Sequence, residues 1–179
     1  EHGLARKSPP KLIELKDLKG DLHVHSKWSD GSEPIETVAK AYKNAGFDYI
    51  ALTDHSPAIG ITHGLKPERV KMQFHEIDEL NKILKPFRIL KGTETDILRD
   101  GSLNHPEYLL KKFDIVVASV HLNFNLSEEE QTRRLIRAIE IAHVLGRVPK
   151  IRSQEQYDAI LIGLALPHRE LRERIGVRL

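Results

Sequence analysis

The chain of 179 residues contains no cysteine. Disulfides and thiolate metal sites are therefore excluded, and any metal must be held through nitrogen and oxygen. Long apolar runs are missing too. No stretch approaches the length of a membrane span, and the first residues, EHGLARKSPPKLIELKDLKG, hold no signal-type apolar core. The expectation is a cytoplasmic protein with no membrane partner. Net charge is only +2, so the whole-chain field does not demand a nucleic-acid partner, although a basic excess permits one. That excess is uneven: from residue 141 onward seven Lys or Arg stand against four Asp or Glu. With 40% hydrophobic and 30% charged residues the composition is that of an ordinary globular chain, long enough for one domain with a real core.

What the chain does have is histidine, ten in all, placed unevenly. Residues 20–31 read GDLHVHSKWSDG. The alternation Leu22–His23–Val24–His25 has the period of a strand, so both imidazoles should leave it on one side. Two neutral imidazoles side by side with carboxylates in reach are suited to a divalent metal.

Around that stretch the chain alternates strand and helix. Residues 1–19, broken by Ser8-Pro9-Pro10, read as a linker. A helix is expected over about 34–45, with Val38, Ala39, Ala41 and Tyr42 as its buried face. FDYIALTDH (47–55) reads as a strand buried on both faces, and 67–85 carries helical spacing through Val70, Phe74, Ile77, Leu80 and Leu84. FRILKGTET (87–95) is a third strand, Pro106–Lys112 a short helix and DIVVASVH (114–121) a fourth strand. Ser127 and the acids after it open a helix to about Ile141. Beyond it the pattern predicts a short strand at 141–145, a helix over 153–162, a strand at 162–166 and a helix from Arg169. Repeated strand–helix units imply an α/β fold with a parallel sheet or barrel, whose ligands sit at the C-terminal strand ends.

Those ends can be read off. The first strand finishes in His23–Val24–His25 with Asp30 close behind. The second finishes in Asp54–His55, the third in Gly92–Thr93–Glu94 and the fourth in Ser119–Val120–His121. Each residue alone has an ordinary explanation. His55 could be a hydrogen-bonded structural histidine, Glu94 a turn partner, and Asp21 and Asp54 either orient imidazoles or cap turns. His2, His63, His75 and His105 fall in linker, loop or helix and read as surface residues, with His63 able to reach the cleft. Together, His23, His25, Asp30, His55, Glu94 and His121 exceed one tetrahedral site and suggest two or three divalent ions, manganese, zinc or iron, with Glu94 bridging. Such a cluster performs hydrolysis with an activated water, so no protein nucleophile is required.

GDLHVHSKWSDG, ALTDHSP, GTETDI and VASVHLNFN, in this order and spacing, resemble the polymerase and histidinol phosphatase (PHP) family. The resemblance is closest to the C-terminal PHP domain of bacterial and archaeal family X DNA polymerases, is strong over 11–140 and includes the lead-in KLIELKDLKG. It implies a distorted (β/α)7 TIM-like barrel over 20–179 and a trinuclear metal site. Its implied activity is phosphoester hydrolysis, at DNA ends (3′–5′ exonuclease, 3′-phosphatase or abasic-site cleavage) beside a polymerase module, or of histidinol phosphate. Early family ligands fall on His23, His25, Asp30, His55, Glu94 and His121, and Phe124-Asn125 match a substrate-side pair.

The late part of the pattern departs from the family. Its Gly-His-Pro segment corresponds to IAHVLGRV, which offers His143 as a seventh ligand and Arg147 as a phosphate contact, with Val144 in place of Pro. No Asp-x-His follows residue 121; Asp158 and His168 stand alone. Five strand–helix units are legible, fewer than a sevenfold barrel needs. Three accounts fit: missing internal segments, a short member completed by a partner subunit, or a remnant that folds without catalysis. The expected function is a metal-dependent phosphoesterase. A small-molecule phosphatase, a non-catalytic DNA-binding domain and an amidohydrolase-like enzyme are the alternatives.

Overall fold

The computed structural model describes residues 12–144, with the backbone alone at 143 and 144. His2, Arg147, Asp158 and His168, and the elements expected at 153–162, at 162–166 and from Arg169, lie outside the described residues. Every described element falls in the first of the chain's two units, Glu1–Val148.

Four strands alternate with helices: β1 (Gly20–Val24), α1 (Ile35–Asn44), β2 (Tyr49–Leu52), α2 (Pro67–Ile83), β3 (Arg88–Asp96), α3 (Glu107–Leu110), β4 (Ile115–Ser119) and α4 (Glu128–Val144). All strand pairs are parallel and the spatial order is β1-β2-β3-β4. An unbroken sequential order is that of a barrel, whereas a doubly wound sheet reverses at a switch point. The described residues form four such units, a curled half-barrel, and do not themselves make the sevenfold closure.

The pairing is staggered, as barrel shear requires. The first half of β3 pairs with β2, Tyr49 opposite Arg88 through Leu52 opposite Lys91. Its second half pairs with β4, Gly92 opposite Ile115 through Asp96 opposite Ser119. Gly92 stands where the pairing passes from one neighbour to the other. A Cβ there would come within 2.7 Å of the Leu52 carbonyl oxygen and 3.0 Å of an Ile115 methyl, so only glycine lets three strands meet so closely.

The core follows the expected periodicities. Ile50, Ala51 and Leu52 are all fully buried in sequence, which requires cover on both faces of β2. On α1 the buried stripe is Ile35, Val38, Ala39 and Tyr42, spaced i, i+3, i+4, i+7; Ala41 lies off it and is exposed, contrary to expectation. Beneath these helices Val24, Ile50, Leu52, Ile77, Leu80 and Ile89 form one cluster; Leu65, Val70, Leu109 and Phe113 form another. Each fully buried aliphatic or Phe side chain contributes roughly 1.5–3 kcal/mol.

Two further expectations are corrected. The strand predicted at 141–145 is instead the last turn of α4, which runs to Val144. Buried Arg134 and Ala138 and half-buried Ile141 and Ala142 continue one helical stripe, so the same period carries through. His105, read as a surface residue, is 3% exposed. A bridge between Ile97 and Leu103 tucks its loop inward, and the ring packs 5.6 Å from Phe113 with neither nitrogen hydrogen-bonded.

Burial pushes the His105 imidazole down to about 4. The unfolded chain therefore binds a proton that the folded chain refuses between about pH 6.5 and pH 4. Stability should be full above about 6.5 and fall by about 3 kcal/mol as pH drops toward 4. Urea unfolding of the wild type and His105→Leu at pH 7 and pH 4.5 checks this: the variant should lose much less stability on acidification. Parallel losses would contradict it.

Candidate metal centre

Five of the six rim residues come from strands or the extended chain just beyond them. In β1 an extra residue between Asp21 and Val24 breaks the register with β2. Asp21 fixes this bulge, accepting from the His23 amide (3.0 Å) and the Tyr42 hydroxyl (2.7 Å). Burial and the Asp21 hydrogen bond and charge push the Tyr42 phenol up to about 12, so it remains a donor. His23 and His25 emerge on one side as expected, their rings stacked with centroids 5.2 Å apart. Beyond β2, His55 forms a parallel bridge with Glu94 on β3, and His121 follows β4.

Glu94 is the centre of the arrangement. Its Oε2 lies 3.1 Å from His23 Nε2, 3.3 Å from His25 Nε2 and 3.5 Å from His55 Nδ1. Its Oε1 lies 3.2 Å from His121 Nε2 and accepts the Ser119 hydroxyl at 2.7 Å. Asp30 faces His25 Nδ1 at 3.1 Å and His55 Nε2 at 3.4 Å. The donors fall into three overlapping groups, His23/His25/Glu94, His25/Asp30/His55 and His55/Glu94/His121, each with ligand atoms within 4.8 Å of one another. Shared His25, His55 and Glu94 link all three.

This donor set fits divalent metal ions. His25 Nδ1 and His55 Nδ1 are buried and make no aligned hydrogen bond, although carboxylate oxygens of Asp30 and Glu94 lie 3.1 and 3.5 Å away, and donor atoms gathered this closely without hydrogen bonding suit a shared cation. Burial pushes the Glu94 carboxyl up, but the Ser119 hydroxyl, His23 and His55 outweigh it and hold the group below its ordinary value. Asp30 behaves alike: burial raises it, and the facing His55 and His25 bring it below the usual carboxylate value. Both acids are thus held ionised, as ligation requires.

Among the described residues Asp54 touches no imidazole. It is 2% exposed and accepts from the Ser26 amide (2.8 Å), the Ser26 hydroxyl (2.7 Å), the Ser29 hydroxyl (2.5 Å) and Gln73 Nε2 (2.6 Å). Adjacent residues of extended chain face opposite ways, so Asp54 points to α2 while His55 points to the centre. Of the two readings open for them, Asp21 takes the turn-holding one, while Asp54 takes neither as stated and instead ties the Ser26–Ser29 loop to α2 through one amide and three side-chain donors.

Asp96 and Ser119 escaped the sequence reading. Asp96 Oδ1 lies 3.1 Å from His121 Nδ1, an arrangement that fixes the ring and leaves Nε2 toward Glu94. Period two was the available signal, since Asp96 follows Glu94 by two residues and Ser119 precedes His121 by two. Phe124 and Asn125 are exposed on the turn after His121 and make no hydrogen bond or ring contact with the rim groups. His143 lies on α4 by its backbone. Exposed His63 ends a turn at φ 52°, its carbonyl receiving Arg69.

Fold and rim together define a class, a parallel α/β barrel-type domain whose strand ends carry a carboxylate-centred group of imidazoles suited to divalent metals. The PHP domain family model matches residues 21–165, and the chain belongs to that family. It is similar to the DNA polymerase/3'-5' exonuclease PolX of Bacillus subtilis (strain 168), 47% identical over 143 residues, covering 76% of this chain and 25% of that protein. It also resembles a probable phosphatase of Thermoanaerobacter sp. (strain X514), 35% identical over 131 residues, 69% of this chain and 50% of the relative. A probable phosphatase of Caldanaerobacter subterraneus is 34% identical over 131 residues, 69% of this chain and 48% of the relative. The chain thus spans a quarter to a half of the length of these relatives. Among the described residues no helix is long and apolar enough to cross a membrane.

Proposed function

We propose that the domain is a metal-dependent phosphoesterase acting at DNA ends, as a 3′–5′ exonuclease or 3′-phosphatase, beside a polymerase module. The observation that carries this reading is Glu94 set among four imidazoles, with Asp30 beside two of them. His23, His25, Asp30, His55, Glu94 and His121 hold two or three ions of manganese, zinc or iron, and His143 is proposed as a seventh ligand. Divalent ions in such a site supply Lewis acidity toward a phosphoryl oxygen and an acidified water. The chain's residues do the rest: Glu94 and Asp30 bring negative charge, Asp96 holds the His121 proton on Nδ1, and Asp54 keeps the loop carrying Asp30 in place.

Phe124, exposed three residues past His121, offers a base-stacking face beside Asn125, and Arg147 is proposed to contact phosphate. Similarity to the PolX exonuclease favours a DNA end, while the probable phosphatases keep a small phosphomonoester as the second reading.

The test is direct. The protein is given manganese and offered an oligonucleotide with a 3′-phosphate, an unblocked oligonucleotide, histidinol phosphate and an amide substrate. Release of phosphate or nucleotides from DNA, abolished by chelation, supports the proposal. Turnover of histidinol phosphate alone supports the second reading. Salt-sensitive DNA binding that survives chelation without hydrolysis overturns both.

A further inference from the structure

Arg134 on α4 is only 1% exposed and heads the largest fully buried side chains. Among the described residues it has no carboxylate partner. Nη1 and Nη2 both donate to the Leu122 carbonyl, at 3.1 and 3.0 Å, and Nε has no partner. Burying a guanidinium without a counter-ion costs several kcal/mol, and an apolar residue of similar volume would avoid that cost. What arginine adds is a rigid planar fork that grips one acceptor with two charged donors.

The acceptor's position gives the fork a purpose. Leu122 directly follows His121, beyond the last strand pair, Asp96 with Ser119, where the sheet no longer supplies donors. Asn123 next to it takes a left-handed conformation, φ 58°, and its carbonyl accepts Gln131 Nε2 at 2.9 Å. Two side chains of α4, three residues apart, thus hold the chain just after His121. Arg134 is itself backed by the turn at Gly101: a Cβ there would lie 2.9 Å from the Arg134 carbonyl oxygen, and φ is +84°. Backbone therefore supports arginine, arginine the Leu122 carbonyl, and that carbonyl the residue whose ring faces Glu94 and Asp96.

We infer that Arg134 is a positioning residue for His121, acting through the Leu122 carbonyl; this rests on the metal-centre reading above. It sets the placement of one imidazole and so the affinity of the His55/Glu94/His121 group, leaving the His23/His25/Glu94 group intact.

Cobalt(II) titrated into the metal-free full chain, read by calorimetry and visible absorption, tests it. The unaltered protein should take up more than one equivalent. In Arg134→Met one equivalent should weaken by about tenfold or more, in the range that lost supporting partners cost a metal site, with a changed cobalt spectrum. Arg134→Lys should recover part of the affinity, since an ammonium donates to the carbonyl without the fork. In a His121→Ala background Arg134→Met should change cobalt affinity less than about twofold, as two residues acting through one ligand require. If Arg134→Met does not fold, Arg134→Gln carries the same comparison. Unchanged affinity and spectrum in the folded variant, or an undiminished loss in the His121→Ala background, overturns the positioning role alone. A chain that takes no cobalt overturns the metal-centre reading and this inference with it.

Discussion

Glu94→Gln should abolish multi-metal binding and lower phosphoesterase turnover by more than about a hundredfold. Losing a residue that merely supports a metal ligand costs about 10–100-fold, and on the proposed reading Glu94 would itself be a ligand. One oxygen faces His23, His25 and His55 and the other faces His121, at 3.1–3.5 Å. Glutamine fills the same volume but brings no charge, and one of its two terminal atoms becomes an amide donor. It cannot link the groups that share Glu94. Its loss should act on chemistry more than on folding, because the side chain sits among polar groups and packs in neither hydrophobic cluster. Turnover on the responsive substrate, calorimetric metal titration and a melting curve together check this. Near wild-type turnover in a folded variant would show that Glu94 does not bridge.

Asp54→Ala should have the largest effect on stability. The carboxylate takes hydrogen bonds from four donors in a buried setting. Removing it strands the Ser26 amide, the Ser26 hydroxyl and Gln73 away from water, while the Ser29 hydroxyl keeps Asp30 as an acceptor, and each stranded donor costs roughly 1–3 kcal/mol. A loss of more than about 3 kcal/mol is expected, read as a lower urea midpoint at pH 7. The loop between Ser26 and Asp30 is released with it, so metal affinity should fall as well. A loss under about 1 kcal/mol would mean that the loop's own hydrogen bonds, Ser29 and Gly31 amides to the Ser26 carbonyl, suffice to hold it.

Much of the candidate site's clustering was legible because strands impose a period of two and parallel barrels gather strand ends at one rim. His23 and His25 followed from alternation within β1; His55, Glu94 and His121 from their places at or just past strand ends. Their meeting around one carboxylate is three-dimensional information that the strand-end rule supplied indirectly. Asp96 and Ser119 obey the same period and were readable, but a Thr-flanked Asp and a lone Ser announce no chemistry until an imidazole and a carboxylate face them.

Other residues went against their usual behaviour. His105 lies in a loop, where histidine is ordinarily exposed, yet a two-residue bridge folds that loop against Phe113. Arg134 occupies the buried stripe of α4, where composition reads arginine as a solvated face. The strand expected at 141–145 failed because apolar Ile141 and Ala142 suit both periods, and only Ala138 and Arg134, one and two helical turns back, decide for the helix. Short apolar runs cannot be told apart by local pattern alone.

The central claim is that these six residues form one centre for several metal ions. Elemental analysis of protein purified without added metal or a metal-affinity tag tests it most directly. Two or three equivalents of manganese, zinc or iron per chain, falling to one or none in Glu94→Gln, is the result expected. One equivalent or none in the unaltered protein would contradict a multinuclear centre and leave these histidines a structural or single-metal role.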